Sequence, residues 1–212
     1  MIRRPPRSTQ GVSSAASDVY KRQLREAMGT KSLWVLTGVV GTLFLIQAGV
    51  SVHIGAFFQD RGLSLTLVAT AITINGIVNA IGSLVWGATI ERIPVRWAMG
   101  FLMVLTAGST IALLAVHSVT AAFIVSAVIG IVGSGGNVIP PVAYASYFGR
   151  RSIGNIRGVG ETGVQIGQTI GPVLSGLAFD LNGSYQVAFI TFAVLALIGA
   201  GLISFSKPPK VL

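Results

Sequence analysis

Six long apolar stretches, separated by short polar breaks, are the feature of this sequence that most limits its fold. An α-helix rises ~1.5 Å per residue, so about 20 apolar residues suffice to cross ~30 Å of hydrocarbon. The chain is 52% hydrophobic and 10% charged, whereas soluble domains carry about 25% charged residues. We therefore predict an all-α membrane protein with transmembrane helices at approximately 32–57, 65–89, 96–116, 120–147, 158–180 and 185–206.

The breaks between these stretches are short and contain turn-forming or charged residues. Gly62 follows the first stretch, Pro94 the second and Asn182-Gly183 the fifth. Short connections favour antiparallel packing of helices that follow one another in the chain. We expect consecutive helices to be packing neighbours.

The distribution of lysine and arginine predicts the orientation in the membrane. One side collects most of the cations outside the first 23 residues: Arg25, Lys31, Arg92, Arg96, Arg150, Arg151, Arg157, Lys207 and Lys210. The opposite side has Arg61, together with His117, which we expect to be solvated. Because cytoplasmic loops are enriched in lysine and arginine, both termini are predicted to be cytoplasmic, in a bacterial inner (plasma) membrane.

Several functional classes are disfavoured by composition. The net charge of +9 is typical of nucleic-acid binding, but the cations lie in short loops between apolar stretches and form no continuous face. There is no cysteine, and the two histidines and six carboxylates are scattered. We expect no nucleic-acid partner, no metal or other cofactor, and no enzymatic activity.

Residues 1–23 differ from everything that follows. They contain Pro5, Pro6 and a Ser/Ala-rich run, with no apolar periodicity and no hydrophobic region of a secretory signal. The segment resembles translated sequencing-adapter read-through, with the coding sequence beginning near Leu24. A disordered cytoplasmic tail is the alternative, and in either case we predict no packed structure. The six-helix domain is assigned to 24–212.

Amide side chains near the middle of four stretches are candidates for a substrate cavity: Gln47, Asn75, Asn79, Asn137, Gln165 and Gln168. Polar groups within a membrane usually face the bundle interior or a wet cavity. Hydrogen bonds between helices would explain each amide equally well, and the sequence leaves both readings open. The third and sixth stretches lack such residues, so we expect those helices at the lipid-facing edge.

Glycine has a separate pattern in each of two stretches. In the fifth, Gly163, Gly167 and Gly171 recur every four residues, which favours close packing against another helix. The fourth contains a glycine-rich run, 130–136, followed by Pro140-Pro141. That combination predicts a kink or partial unwinding, either as a moving, ligand-facing element or as a static bend.

Six helices with both ends inside, and a polarity pattern that repeats after three, resemble one half of a major facilitator superfamily transporter. The resemblance covers 24–212 and implies helices 7–12 of a twelve-helix protein, built as two three-helix inverted repeats. An N-terminal six-helix half would then be missing. The loop 87–96 resembles the second copy of the family's cytoplasmic loop motif, which implies a conformational gating role for Glu91, Arg92 and Arg96.

The segment Tyr147-Phe148-Gly149-Arg150-Arg151, followed by Gly154 and Arg157-Gly158, resembles the loop between helices 10 and 11 of monocarboxylate-porter-like and oxalate/formate-antiporter-like members. This resemblance adds Arg150 and Arg151 to the gating loops and implies an organic anion as substrate. The expected function is that of a fragment of a secondary active transporter for a small organic solute, working by alternating access in a lipid bilayer. The alternative is a small integral-membrane accessory or interaction protein without transport activity of its own.

Overall fold

A computed structural model describes residues 24–149 and 153–206 of the chain. Within these ranges it has six long helices: α1 Lys31–Asp60, α2 Leu65–Ile90, α3 Val95–Leu114, α4 Val119–Phe148, α5 Ile153–Asn182 and α6 Gln186–Phe205. A short helical segment, 24–28, precedes α1. The leader 1–23 lies outside the described residues, so the expectation about it is not addressed by the structure.

Local signals explain where several helices begin and end. Side-chain oxygens of Thr30, Ser64 and Ser118 accept hydrogen bonds from the first turns of α1, α2 and α4, which satisfies backbone donors that a helix start leaves free. Gly62 and Gly149 follow α1 and α4 with φ of +85° and +75°, a backbone region that favours glycine. The helix α5 begins at Ile153, earlier than expected, because polar residues lower hydropathy without preventing a helix.

The closest helix pairs are not consecutive in the chain: α1 packs on α5, α2 on α4, and α3 on α6. Consecutive helices do contact one another, as expected, but apart from α3 and α4 these contacts are slight, and the main packing partners lie further apart in the chain. Short connections limit the distance between helix ends, whereas complementary surfaces decide which helices pack along their length. Exchanging α1 with α4, α2 with α5 and α3 with α6 maps this set of pairs onto itself.

Side-chain contacts identify the two ends of the bundle. The hydroxyl of Tyr147, near the end of α4, donates to the carbonyl of Ser206 after α6. At the other end, the Arg61 guanidinium donates to the carbonyl of Val116 at 3.0 Å and to Nδ1 of His117 at 3.2 Å. His117 is exposed, as expected for a solvated side chain, and it also contacts the Arg61 guanidinium.

The outer faces of α3 and α6 are apolar. Trp97, Phe101 and Val104 are about half exposed on α3, and Val194 and Leu197 are similarly exposed on α6. The opposite faces of both helices supply large buried side chains to the core, among them Met99 and Phe192. One hydrophobic face out and one in is the arrangement of helices that border lipid.

In the described part of the chain, five helices are long and apolar enough to cross a membrane: α1, α2, α3, α4 and α6, with mean hydropathies between 1.7 and 2.4. The helix α5 has the length, at 30 residues, but carries Arg157, Glu161, Gln165 and Gln168 along one side. Its assignment as a sixth span stays a prediction.

Candidate cleft between helices α1, α4 and α5

A polar cleft of about 240 Å³ opens between α1, α4 and α5. Its walls consist of Val40, Phe44, Gly136, Asn137, Pro140, Pro141, Tyr144, Arg157, Gly160, Glu161, Val164, Gln165 and Gln168. It runs from the middle of α4 and α5 towards the end of the bundle where α4 ends and α5 begins. In a bundle this apolar, the concentration of polar groups marks the cleft as the candidate functional site.

Three of the amides singled out in the sequence lie together in this cleft: Asn137 on α4, and Gln165 and Gln168 on α5. All three side chains are exposed. Spacings of three and four residues align Glu161, Gln165 and Gln168 along one face of α5. They supply donors and acceptors that a polar solute could use.

An ion pair lies in the part of the cleft nearest the start of α5. Arg157 Nε donates to Glu161 Oε1 at 3.0 Å, and the two side chains are 49% and 47% exposed. The two residues are four positions apart and therefore lie on the same face of α5. Because water reaches both groups, the pair contributes at most about 1 kcal/mol to stability.

Tyr144 closes the cleft from the α4 side. Its hydroxyl shares a hydrogen bond of 3.1 Å with Thr37 Oγ1 of α1, and its ring lies against Gly160 of α5. A Cβ at position 160 would overlap the phenol ring. One buried side chain thus touches both other walls of the cleft, a role that the sequence analysis missed.

The two prolines of α4 change the chemistry of the cleft wall. The helix continues without a break from Val119 to Phe148 with Pro140 and Pro141 inside it, so of the two predicted outcomes partial unwinding is wrong, whereas a kink stays a prediction. Proline has no N–H, so the carbonyls of Gly136 and Asn137 lose the donors four residues on. All four residues line the cleft, so its wall includes two residues whose carbonyls lack the usual helical donor.

The other three amides lie elsewhere. Gln47 Nε2 donates to the carbonyl of Val132, and Asn75 Nδ2 to the carbonyl of Ser126, each at 3.2 Å. Asn79 lies against Gly133, where a Cβ would overlap its amide nitrogen. These amides join α1 and α2 to α4, outside the cleft, and their assignment to a substrate cavity stays a prediction.

Glycines of α4 let these side chains approach its backbone. A Cβ at Gly136 would lie 2.5 Å from Gln47 Nε2, and one at Gly135 would lie 2.9 Å from Trp86 Nε1. The Trp86 indole donates to the carbonyl of Ile131 at 2.9 Å. The absence of side chains in the glycine-rich run therefore leaves space at the surface of α4 for polar side chains from neighbouring helices.

The glycines of α5 lie against the backbone of α1. A Cβ at Gly167 would overlap the carbonyl oxygen of Gly41, and one at Gly171 would overlap that of Leu45. A Cβ at Gly163 would lie 3.0 Å from the carbonyl oxygen of Thr37. We call this contact the α1–α5 seam; it fixes the separation of two of the three helices that line the cleft.

The predicted gating residues lie at the ends of helices. Glu91 caps α2, and Glu91 and Arg92 are exposed in the short α2–α3 connection. The Arg96 guanidinium lies over the Trp97 ring, with its carbon atom 5.2 Å from the ring centroid. No ion pair joins Glu91 to another residue of 24–149 or 153–206. Arg150 and Arg151 fall outside the described residues, so the gating assignment stays a prediction.

A second polar cluster lies at the far end of the bundle. His53 Nε2 lies 3.0 Å from the carbonyl of Pro172, and Nδ1 lies 3.2 Å from the hydroxyl of Tyr185. Because a carbonyl only accepts, the neutral imidazole carries its proton on Nε2 and accepts from the tyrosine. The ring thereby joins α1, α5 and the start of α6.

A bundle of long apolar helices with a polar cleft on one side defines an integral membrane protein. The chain matches the Major Facilitator Superfamily over residues 12–212. It therefore belongs to that superfamily, whose members are transporters of small solutes and not enzymes. A comparison with curated proteins gave no match.

The family match begins at residue 12, inside the segment that was set apart as a leader. It therefore gives no support to sequencing-adapter read-through as the origin of 1–23. It also gives no support to the assignment to monocarboxylate-porter-like or oxalate/formate-antiporter-like members, and it does not favour the accessory-protein alternative.

Proposed function

We propose that this chain forms one six-helix wall of a secondary active transporter, which moves a small polar organic solute by alternating access. The observation that carries the proposal is the cleft between α1, α4 and α5, where Asn137, Gln165 and Gln168 meet in an otherwise apolar bundle. Substrate sites of such transporters lie near the bilayer midplane, where these three residues are expected.

The arrangement of helix pairs supports two three-helix repeats. If the first three helices are exchanged in order with the last three, the packed pair α1 and α5 becomes the packed pair α4 and α2, and the pair α3 and α6 maps onto itself. Inverted repeats related by a two-fold axis would produce this pairing. In the proposed topology α5 also crosses the membrane, as do the other five helices, and both termini are cytoplasmic. A separate six-helix half completes the pathway across a bacterial inner membrane.

The charges of the cleft bear on the substrate class. Among the described lining residues, Arg157 is the one cation, and Glu161 already binds it. An organic anion such as a monocarboxylate that takes the Arg157 Nε donor must displace Glu161, because that is the donor used in the pair. Since the exposed pair is worth at most about 1 kcal/mol, a solute carboxylate can do so.

Cysteine accessibility tests whether the cleft is an aqueous pathway. The chain has no natural cysteine, so Gln165→Cys or Asn137→Cys would be its only thiol. In membrane vesicles, a membrane-impermeant thiosulfonate should label both variants and should spare Val104→Cys, which lies on the apolar outer face of α3. Equal protection of cleft and outer-face thiols would contradict the proposal and favour an accessory protein.

The same thiol reports on charge. Labelling of Gln165→Cys by an anionic reagent and by a cationic reagent should proceed at similar rates while Arg157 and Glu161 are paired. Replacing Glu161 by glutamine should raise the anionic-to-cationic rate ratio about fivefold, the factor that corresponds to ~1 kcal/mol. A ratio that Glu161→Gln leaves unchanged would show that Arg157 does not act on the cleft, and would argue against an organic-anion substrate.

A further inference from the structure

A second concave surface lies between α1 and α6, away from the cleft. This groove, of about 360 Å³, is lined by residues of both helices, among them Trp34, Gly38 and Thr42 of α1 and Ile198 and Leu202 of α6. Gly38 and Val40, which line the groove and the cleft respectively, are two residues apart and so about 200° apart around α1. Because α1 faces the polar cleft on one side, the groove lies on the opposite side, towards lipid.

The groove has the chemistry and the length of a hydrocarbon site. Its one side-chain hydroxyl, on Thr42, donates to the carbonyl of Gly38 at 2.9 Å and so has no donor left for a solute. Trp34, Ile198 and Leu202 are each just over half exposed. From Trp34 to Thr42 the groove extends ~12 Å along α1, close to the ~15 Å of hydrocarbon in one leaflet.

The mouth of the groove lies at the membrane surface. Trp34 is exposed, and its indole N–H donates to the carbonyl of Met28 at 2.9 Å; tryptophan with one polar contact is typical of the headgroup region. Lys31 is exposed one turn before it. Lys31 and Gly38 are seven residues apart, which places them within about 20° on the same face of α1.

We propose that the groove binds an acyl chain of an anionic phospholipid, whose phosphate pairs with Lys31. The lipid belongs to the leaflet at the end of the bundle where α1 begins and α6 ends. The site is independent of the proposed transport cleft, since it lies on the other face of α1 and shares no lining residue with it.

Tryptophan quenching by brominated lipids tests this site in the full chain, reconstituted into phosphatidylcholine vesicles. Trp97→Phe serves as the background for every variant, so that Trp34 is the exposed reporter while Trp86 stays buried. Brominated phosphatidylglycerol should quench Trp34 with about fivefold higher relative affinity than brominated phosphatidylcholine, the factor for one lysine near an anionic headgroup.

Two variants separate the headgroup from the acyl chain. Lys31→Gln should abolish the preference for phosphatidylglycerol and leave quenching by both lipids. Gly38→Leu should lower quenching by both, because a Cβ at Gly38 meets nothing within 4 Å and the leucine would fill the groove without disturbing the helices. Gly108→Leu on α3, also unobstructed and exposed, is the matched control and should change neither quantity.

Equal quenching by the two lipids in the Trp97→Phe background would overturn the proposal. So would a Gly38→Leu variant that is quenched as strongly as Gly108→Leu, because the lipid contact at Trp34 would then be ordinary annular contact. Size-exclusion profiles of the detergent-purified variants confirm that each is folded before its quenching is compared.

Discussion

Replacing Gly167 by alanine should destabilise the bundle through the α1–α5 seam. The added Cβ would overlap the carbonyl oxygen of Gly41 and lie 3.0 Å from the Leu45 nitrogen. Both atoms belong to the α1 backbone and cannot rotate away, so the two helices must separate. Overpacking of this kind typically costs 1–3 kcal/mol, roughly, and a backbone clash belongs at the upper end of that range.

The matched control is Gly158→Ala, on the same helix, where a Cβ meets nothing within 4 Å. Replacing glycine by alanine in a helix favours folding by about 1 kcal/mol at either position. The difference in free energy of unfolding between the two variants therefore measures the cost of the clash at position 167. We expect Gly167→Ala to have a free energy of unfolding ~2–3 kcal/mol below that of Gly158→Ala. Gly41→Ala, whose Cβ would lie 2.9 Å from the Gly163 oxygen, should fall between the two.

Unfolding by sodium dodecyl sulfate in mixed micelles, followed by far-ultraviolet circular dichroism, measures these differences. The ranking matters as much as the size, since it follows the closeness of the backbone contact at each position. A Gly167→Ala chain that is as stable as Gly158→Ala would refute the seam, because it would mean that α1 and α5 are not held at the separation described.

Three further substitutions test other contacts. Trp86→Phe removes the indole donor to α4 and should lower the free energy of unfolding by ~0.6–1.7 kcal/mol in the same assay, while Trp97→Phe on the outer face should leave it nearly unchanged. In a double-mutant cycle, Tyr144→Phe and Thr37→Val should be coupled by ~0.6 kcal/mol; strict additivity would show that their hydrogen bond contributes nothing. Glu161→Gln should change stability by less than about 1 kcal/mol, and a larger loss would mean that the cleft pair is structural.

Hydropathy was sufficient to locate the helices because membrane spans must be long and apolar. It failed at the start of α5, where Asn155 and Arg157 lower the hydropathy of a segment that is nonetheless helical. Loop lengths did not predict which helices pack together. The pairing of α1 with α5 depends on glycines at Gly41 and Gly167 that lie far apart in the chain, and their complementarity appears only when both helices are placed.

The candidate site was partly accessible from sequence. Helical spacing on a single helix grouped Gln165 with Gln168, and both line the cleft with Asn137. Spacing could not distinguish these amides from Gln47, which donates to a backbone carbonyl of α4. That distinction depends on Gly136, which leaves room for the Gln47 amide in a helix some ninety residues away, and no pattern within α1 reports it.

The α1–α5 seam also affects how such a protein can diversify. Gly163, Gly167 and Gly171 set the distance between the helices, whereas Gln165 and Gln168 project into the cleft from a neighbouring face of α5. Substitutions at 165 or 168 would alter the groups offered to a solute without requiring compensating changes in the seam. Because packing and solute contacts depend on different residues, single substitutions at the cleft can change substrate preference while the contact between α1 and α5 stays the same.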